Sequence, residues 1–444
     1  MAYTETKTTS YGSRVKSSCG GIGFGILLFI AGTVLLWWNE GRTVKTGDML
    51  DEAREVCKEM VSPEKKDAAL EGELVCGSAM ATTEDSLVFG DFGVGAKAIS
   101  ISRKVEYYQW VEESHSESKD KLGGKQETTT TYTYSKAWVS TPTESADFKD
   151  PAYQKKNFVL TTIEPEQQYA QNVTFGAYKL SESLIKSISS KENMDLAIKE
   201  DMLRQFDKST QTAYERFYGV QKQQPAQEQP AQTVALSDSA KAVQDSIQHV
   251  TDSIMANAKN KKDFEYVHQA GNVLYFGRVP GSPEVGDVRV TFEKVVPAKV
   301  TVTAVVEGDS FKPYKAKNGE TFQSLSMGKK SKDDVFDSAE SSNNMMKWLF
   351  RLLGCVLVIA GLKSIFGFIE TILKVVPFVA NIVGWGVGIV CTILGIVWSL
   401  IVIAVAWLFY RPVLSICLLV GAGLLIWLFA FKGKDKVKEL VNKK

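Results

Sequence analysis

The side chains that could ligate a metal ion or attack a substrate are few in this 444-residue chain, and their spacing matches no common catalytic pattern. The three histidines, His115, His249 and His268, stand far apart, and no two cysteines are separated by two residues as in many zinc sites. A glycine-rich run at 21–25 lies inside an apolar segment with no strand before it, unlike a phosphate-binding loop. The sequence therefore predicts no catalytic residue, no metal site and no cofactor site, and a protein that is not an enzyme.

Cys57 and Cys76 are the cysteines of the polar part of the chain, and each lies in a short run typical of a β-strand, at 54–61 and 73–79. If these runs pair antiparallel, the two Cα atoms come within disulfide range, and an oxidising compartment would let the bond form. The alternative is two buried free thiols. A Cys57–Cys76 disulfide is therefore a hypothesis.

Asn172 begins the triplet Asn-Val-Thr, the acceptor pattern for N-linked glycans. In a eukaryote, with this segment on the lumenal side of a membrane, we expect a glycan at Asn172. In a bacterium we expect none, and such triplets are also common by chance.

Two segments rich in β-branched and aromatic residues, 99–113 and 126–140, predict a long two-stranded arm, because a polar stretch with two adjacent glycines separates them. An exposed arm with so many aromatic side chains is a candidate surface for a protein partner. The alternative is that another sheet or the membrane surface covers it. The candidate partner-binding residues are Tyr107, Tyr108, Trp110, Tyr132, Tyr134 and Trp138.

Long apolar runs at both ends of the chain predict an integral membrane protein. Residues 20–38 carry no charge, and a bilayer core of about 30 Å needs about 20 helical residues. The alternative, a cleaved signal peptide, has only about 7–15 apolar residues and does not end in an aromatic pair such as Trp37-Trp38. We predict four transmembrane helices, at 20–38, 347–369, 384–410 and 413–431, with an interfacial segment at 375–383.

Glycines occur one helical turn apart in two of these spans. Gly21 and Gly25 form one such pair, and Gly384 and Gly388 form the other. Small residues at this spacing favour close packing of helices in lipid. The alternative is the ordinary enrichment of glycine in membrane helices.

The charges are segregated, although their sum is only +1. Basic residues are in excess in 1–19 and 347–444, whereas 39–346 carries a net charge of −9. Because basic segments favour the cytoplasmic side, we expect the tails 1–19 and 432–444 in the cytoplasm, the latter against anionic lipid, and the acidic part in a lumen or outside the cell. A nearly neutral chain lacks the basic face of a general nucleic-acid-binding protein, so we expect no nucleic acid as partner.

The acidic part is long enough to bury a full core. We predict two β-rich parts, at 39–175 and 263–346, separated by a helical, glutamine-rich insertion at 176–262. Within the second part, 288–295 and 299–306 are predicted to pair around Val296-Pro297-Ala298, and Asn318-Gly319 predicts a further hairpin. The predicted fold class is an α+β multi-pass membrane protein with a large β-rich lumenal or extracytoplasmic domain.

Glu40 and Arg411 are the charged residues that this topology brings to one depth. Glu40 follows the first span, and Arg411 follows the third, each next to aromatic residues. Partial desolvation would make an ion pair there stronger than one exposed to water. We therefore predict that Glu40 contacts Arg411, with Arg351 and Arg42 as rival partners, or that all of these remain independent charges among the lipid head groups.

Several ordered segments resemble the transmembrane protein 43 family, also called LUMA. They are Asn39-Glu40-Gly41-Arg42, the run from Arg103 to Glu112, Pro283-Glu284-Val285-Gly286-Asp287, and the run from Trp407 to Pro412. The resemblance covers most of the chain, and it is lost in 200–262 and at Cys57 and Cys76.

This resemblance implies a non-enzymatic scaffold that self-associates and organises membrane protein complexes. It implies the endoplasmic reticulum and inner nuclear membrane, with lamina or emerin-like partners, in a eukaryote. In a bacterium, which the lysine-rich tail would also suit, the location would be the inner membrane. The alternatives are a transporter or channel component, which usually carries charges at mid-membrane, and a membrane-anchored enzyme.

Overall fold

The computed structural model describes residues 3–221, 264–373 and 377–412. Three helices are longer than the hydrocarbon core of a membrane is thick, with 46, 42 and 34 residues. The helices are α1 (Tyr11–Val56), α2 (Glu182–Ile185), α3 (Glu200–Gln221), α4 (Lys332–Leu373) and α5 (Pro377–Tyr410). Short 3-10 helices occur at Ala68–Leu70 and Ser145–Asp147.

Nineteen strands make up the β-rich part of the described chain. The first ten are β1 (Tyr3–Thr9), β2 (Lys58–Met60), β3 (Leu74–Thr83), β4 (Ser86–Phe89), β5 (Val94–Lys97), β6 (Ser100–Asp120), β7 (Gln126–Val139), β8 (Glu166–Tyr169), β9 (Val173–Phe175) and β10 (Tyr178–Lys179). The others are β11 (Lys191–Asn193), β12 (Val267–Ala270), β13 (Val273–Phe276), β14 (Val288–Val295), β15 (Ala298–Glu307), β16 (Ser310–Lys312), β17 (Tyr314–Lys315), β18 (Thr321–Phe322) and β19 (Ser324–Met327).

Two main sheets hold most of these strands. The first has the order β1-β7-β6-β14-β13-β12, with β11 beside β14 and β8 beside β6. The second has the order β10-β9-β3-β15-β16, with β19 beside β15 and β2 beside β3. Each sheet covers an apolar core of its own, with Phe89, Phe276 and Phe292 in the first and Phe175 and Val302 in the second. The β-rich region that the sequence predicts is therefore present.

A third core joins the second sheet and the β17–β18 hairpin to the long helices. Leu50 near the end of α1 and Phe336 near the start of α4 are buried together with Leu74 of β3 and Phe322 of β18. The rings of Phe322 and Phe336 stack with their centroids 5.3 Å apart. Both helices thus run without a break from the β-rich region into their apolar segments.

Three described helices are long and apolar enough to cross a membrane: α1, α4 and the part of α5 from Gly386 to Tyr410. The predicted spans 20–38, 347–369 and 384–410 lie within them. The predicted interfacial segment 375–383 is helical from Pro377, where α5 begins and continues without a break, and its position at the interface stays a prediction. Proline is tolerated in the first turn of a helix, where its missing N–H has no partner to lose. The predicted span 413–431 and tail 432–444 lie outside the described residues.

The hairpin predicted around Val296-Pro297-Ala298 is wrong. β14 before this turn pairs with β6 and β13 in the first sheet, whereas β15 after it pairs with β3 in the second. Alternating residues identify strands but do not say which sheet each one enters. The hairpin at Asn318-Gly319 is confirmed, since Tyr314 pairs with Phe322 and Gly319 has a φ of 86°.

The insertion predicted at 176–262 is helical only in part. Residues before α3 include two short strands and one four-residue helix, and Leu184 and Ile188 are buried in the core of the second sheet. The helix-like spacing of these apolar residues therefore reflects their burial against the second sheet, in a segment that is mostly irregular. The glutamine-rich stretch lies outside the described residues.

The two-stranded arm is confirmed, and it is longer than predicted. β6 and β7 pair from Tyr107↔Val139 to Asp120↔Gln126. β1 adds a third strand, antiparallel to β7 from Tyr3↔Tyr132 to Thr9↔Gln126. Residues 1–19, predicted as a cytoplasmic tail, therefore contain a strand of the first sheet and the start of α1.

Candidate functional site: an ion pair that joins the three apolar helices

Glu40 connects α1 to both of the other apolar helices. Arg351 of α4 donates from Nε to Glu40 Oε1 at 2.7 Å and from Nη2 to Oε2 at 2.8 Å. Trp407 of α5 donates from its indole nitrogen to the same Oε2 at 2.8 Å. Glu40 is 3% exposed and the Arg351 side chain 13%, so the pair is shielded from solvent. A bidentate arginine–carboxylate contact fixes the relative orientation of the two side chains as well as their distance.

Aromatic rings surround this ion pair. The guanidinium of Arg351 lies over the rings of Trp348, at 5.0 Å, and Trp407, at 5.8 Å. Trp37 of α1 packs edge-on against Phe409, with 5.1 Å between centroids. Rings that exclude water strengthen the electrostatic contact between the charges they cover. The arrangement is a lock that holds the lone N-terminal span against the other two.

The residue next to Glu40 has to be small. A Cβ on Gly41 would lie 2.6 Å from the Tyr410 ring, closer than real Cβ contacts come. On the other side of Glu40, Asn39 is fully buried and donates to the Lys347 carbonyl oxygen at 3.1 Å. The segment Asn39-Glu40-Gly41 thus touches α4 and α5 at three successive positions.

The predicted Glu40–Arg411 contact is wrong. Arg351, one of the rivals, is the partner of Glu40, and Arg411 is exposed just beyond the end of α5. The reason is how α4 and α5 are rotated about their axes. This rotation turns Arg351 and Trp407 toward α1, where they bind both carboxylate oxygens of Glu40. Arg42 points elsewhere, with its guanidinium 5.8 Å from the Phe350 ring centroid.

Glycine pairs bring α1 and α4 into backbone contact deeper in the bundle. A Cβ on Gly25 would lie 2.8 Å from the Gly361 carbonyl oxygen, and a Cβ on Gly32 would lie 2.8 Å from that of Gly354. Of the glycines named from the sequence, Gly25 therefore makes a close contact. Gly21 makes only ordinary contact with Ser364, and Gly388 has nothing within 4 Å.

Asp287 is a buried acid that the sequence analysis did not single out. It is fully buried, and its Oδ2 accepts hydrogen bonds from the Tyr275 hydroxyl and from the Glu284 backbone N–H. Its Oδ1 has no hydrogen-bond partner among the described residues. Burial raises the pKa of Asp287 to about 7, helped by the negative charge of Glu284. The only signal in the sequence was its place in the run Pro283–Asp287, which carried the family resemblance.

Asp287 also fixes the base of the arm. Its carbonyl oxygen accepts from the Tyr108 N–H at 2.9 Å, and the neighbouring Gly286 N–H donates to the Tyr108 carbonyl at 2.9 Å. Tyr275, the hydroxyl partner of Asp287, packs edge-on against Trp138 of β7. The acid therefore lies where the arm leaves the rest of the first sheet.

Cys57 and Cys76 are free thiols, so the disulfide hypothesis is wrong and the alternative is observed. Both are buried in the core that joins the sheets to α1 and α4. The strands around them run parallel, with Glu59 opposite Cys76, so Cys57 is not opposite Cys76 as antiparallel pairing would require. Burial raises the pKa of the Cys57 thiol to about 12 and also raises that of Cys76.

Asn172 is exposed before the short strand β9. Its side-chain amide donates to Asp85 Oδ1 at 3.2 Å, and its backbone N–H donates to Asp85 Oδ2 at 2.8 Å. These bonds lower the pKa of the Asp85 carboxyl. Glycosylation at Asn172 stays a prediction.

The aromatic residues of the arm are only partly available to a partner. Tyr107 is buried in the core of the first sheet. Tyr108 packs against Trp138 at 5.2 Å between centroids, and Trp110 packs against Tyr153 at 4.9 Å. Tyr134 stacks on Tyr153 at 4.1 Å. The segment that follows β7 thus covers the base of the arm, and Tyr132, halfway along the arm, contacts Tyr3 of β1.

No group of three or more histidine, cysteine or acidic side chains that could hold a metal ion occurs among the described residues. The candidate site in the helix bundle consists of one buried ion pair and close glycine contacts.

Comparison with known proteins identifies the family. The family described as Transmembrane protein 43 matches residues 107–412, which include Asp287, Arg351 and Trp407. The chain belongs to the transmembrane protein 43 family. Transmembrane protein 43 of Rattus norvegicus is 27% identical over 414 residues, covering 90% of this chain and 86% of its own.

Other relatives cover nearly the whole length. Transmembrane protein 43 of Homo sapiens is 26% identical over 95% of this chain and 93% of its own. A transmembrane protein 43 homolog of Drosophila melanogaster is 24% identical over 91% of this chain and 93% of its own. No solved structure matches. Membership of the transmembrane protein 43 family, together with the apolar helices, establishes an integral membrane protein.

Proposed function

We propose that this chain is a non-enzymatic membrane scaffold that self-associates and organises other membrane proteins. The observation that carries the proposal is the continuity of α1 and α4 from the apolar bundle into the β-rich core. A scaffold needs its docking domain at a fixed height and angle over the membrane. Helices that pack against each other in the apolar bundle and against the β-rich core supply such a fixed connection.

Polar contacts between the two helices support this rigidity outside the bundle. Asn343 of α4 donates to the Thr43 carbonyl of α1 at 3.0 Å. Arg54 near the end of α1 pairs with Asp337 of α4. The Lys332 ammonium, at the start of α4, donates to the Cys57 carbonyl at 3.2 Å. The stretch between the membrane and the sheets is therefore braced along its length.

The family resemblance supports the rest of the proposal. In a eukaryote the protein would act in the endoplasmic reticulum and inner nuclear membrane, with lamina or emerin-like partners. In a bacterium it would act in the inner membrane. Apart from the arm formed by β6 and β7, the acidic β-rich domain would face the lumen or the cell exterior, since the charge distribution favours the basic residues beside the spans in the cytoplasm.

The test is the mass of the full-length protein in lipid nanodiscs, measured by native mass spectrometry. Self-association predicts masses that are multiples of the 49.0 kDa chain. A single copy at every concentration would contradict the proposal. A second arm measures ion and small-solute flux in liposomes: selective, saturable flux would favour a transporter over a scaffold.

A further inference from the structure

The tip of the arm and the N-terminal strand form a ribbon of three strands, which we call the polar ribbon: Tyr3–Thr9 of β1, 114–120 of β6 and 126–132 of β7. β7 is the central strand of this ribbon and pairs with β1 on one side and β6 on the other. Thr129 of β7 lies opposite Thr6 and Glu117. Its side chains are almost all serine, threonine, glutamate, lysine, glutamine, histidine or aspartate. Hydroxyl groups pair across the strands, as Ser116 does with Thr130 at 2.9 Å.

The tip of the polar ribbon is fastened to the start of α1. Arg14, which is buried, pairs with Asp120 Oδ1 at 2.8 Å and donates to the Gly124 carbonyl at 3.0 Å. Gly124 lies so close to Tyr11 that a Cβ there would be 2.4 Å from the tyrosine ring. The Tyr11 hydroxyl in turn donates to the Ile372 carbonyl at the far end of α4. The tip therefore lies at the end of the bundle that is remote from the β-rich domain.

The base of the arm lies at the other end of the bundle. β6 leaves its neighbour β14 at Tyr107↔Val288, within the first sheet. α1 reaches the β-rich domain only at its C-terminal end, where Met49 and Leu50 are buried. Between Arg14 and Met49 lies the uncharged run 20–38. The arm therefore runs beside the apolar segments of the helices, at the depth that hydrocarbon occupies when these helices cross a membrane.

The lengths agree with this placement. Residues 114–120 of a strand extend about 20 Å at ~3.3 Å per residue. The same length of α1, counted from Arg14, ends near residue 27 at ~1.5 Å per residue. The polar ribbon is thus level with the first half of the apolar run of α1.

Hydrocarbon cannot surround such a ribbon. Its side chains are polar on both faces, and its two outer strands have open edges. Among the described residues, no strand pairs with the outer edge of β1 or with β6 beyond its contact with β14. Open sheet edges do not occur against lipid, because no water is present to satisfy the backbone groups. Something polar with complementary strand edges must cover the ribbon in the membrane.

We propose that the cover is the polar ribbon of a second copy of this chain, with β1 of one copy beside β6 of the next. Since β1 and β6 are both antiparallel to β7, they point in the same direction within each copy. They also begin and end level with each other, Tyr3 with Ser114 and Thr9 with Asp120. A rotation about the membrane normal therefore places the two open edges side by side at one height, and repeating it closes a ring without edges.

This proposal rests on the self-association proposed above and names its surface. Such a ring turns one polar face of each ribbon toward a shared axis. The apolar helices of each copy then lie outside the ring, against lipid. The arrangement satisfies the backbone edges and keeps the polar side chains of that face away from hydrocarbon.

Cysteine pairs test the proposal in the full-length protein in membranes. Thr6 and Glu117 lie two strands apart in one copy, about 10 Å at ~4.8 Å per strand. This exceeds the ~7 Å limit between the Cα atoms of a disulfide. T6C combined with E117C can therefore form a disulfide only between copies. We make the same pairing with T4C and T8C, because a closed ring shifts neighbouring strands relative to each other.

The matched control is T6C combined with T129C. These residues are directly paired neighbours in one copy, so oxidation should close a disulfide within the chain. The chain then stays monomeric on a non-reducing gel, and thiol labelling after denaturation shows that both introduced thiols have been lost. Each single variant and the wild-type chain, with its own cysteines, give the background of random links.

The expected result is a ladder of covalent multimers in at least one of the three E117C pairs, several-fold above the single variants. If T6C–T129C closes within the chain and native mass spectrometry shows multimers, but no E117C pair links copies, this proposal is wrong and self-association stands. If the mass shows one copy only, both proposals fail. If T6C–T129C does not close, the ribbon itself does not exist in the membrane, and this proposal falls with it.

Discussion

Gly32 of α1 and Gly354 of α4 bring two helix backbones into direct contact. A Cβ on Gly32 would lie 2.8 Å from the Gly354 carbonyl oxygen, and a Cβ on Gly354 would lie 2.6 Å from Leu36. Seven residues away on each helix, Gly25 and Gly361 repeat the contact. The two glycine pairs, seven residues apart, keep the antiparallel helices close over two turns. Dispersion forces between the two backbones then stabilise the helix pair.

Leucine at Gly32 should therefore loosen the bundle. We expect G32L to lower the apparent free energy of unfolding by about 1–3 kcal/mol, the usual cost of overpacking. G23L is the matched control, because Gly23 is in the same helix with nothing within 4 Å. The measurement is thermal unfolding in detergent, followed by tryptophan fluorescence. Equal losses in the two variants would show that the close contact is not what holds the helices.

Asp287 should make stability fall as the pH rises toward neutrality. Its pKa is raised by burial to about 7 in the folded protein, above the usual 3.8. The folded state therefore holds a proton that the unfolded state has lost between these values. The stabilisation is complete below about pH 4 and is lost as the pH rises through about 7.

D287N should remove this dependence. Asparagine keeps an oxygen that can accept from the Tyr275 hydroxyl and the Glu284 N–H, but it cannot ionise. We expect the melting temperature of D287N, relative to wild type, to increase from pH 4 to pH 8. E320Q, which changes an exposed carboxyl between β17 and β18, serves as the control. A constant difference between D287N and wild type over this range would refute the buried, titrating acid.

Cys57 and Cys76 should resist alkylation in the native protein. Burial raises the pKa of Cys57 to about 12, so almost no reactive thiolate forms at pH 8, and the core excludes the reagent. We expect modification at least tenfold slower than at an E320C control, since Glu320 is exposed. Mass mapping after denaturation without reductant should find both thiols free. A peptide linking Cys57 to Cys76 would contradict the structure.

Local patterns in the sequence predicted much of this fold because local chemistry decides it. The Asn318-Gly319 turn forms since glycine accepts the positive φ that the turn requires. The arm follows from β-branched and aromatic residues on both sides of a glycine pair. The apolar runs are long enough to cross a membrane whatever their neighbours are.

Partners distant in the sequence were harder to predict. β1 is a short polar segment, and nothing in Tyr3–Thr9 indicates that its neighbour is a strand more than a hundred residues away. Val296-Pro297-Ala298 marks a turn but not a change of sheet. Asp287 gave no signal as a buried acid, because its burial depends on Tyr275 and the base of the arm.

The partner of Glu40 is the clearest case at the candidate site. Depth in the membrane left Arg42, Arg351 and Arg411 as possible partners. The choice depends on how α1, α4 and α5 are rotated about their axes, and the glycine contacts and aromatic rings set this rotation. Charge and depth define a set of candidates, and packing selects Arg351.

The Glu40–Arg351 pair holds the N-terminal apolar helix against the other two, and a double-mutant cycle tests this role. E40Q keeps an acceptor for the Trp407 indole, and R351M keeps the length of the side chain without its charge. Breaking a buried pair from one side costs about 3–5 kcal/mol, whereas removing both charges is nearly neutral. E40Q with R411M is the control cycle.

The quantity to measure is the free energy of unfolding of the full-length protein in mixed micelles. We predict that the E40Q/R351M double variant is more stable than the sum of its single losses by at least about 1 kcal/mol. The E40Q/R411M cycle should be additive. Additivity in the E40Q/R351M cycle, or coupling of Glu40 to Arg411 instead, would contradict the claim.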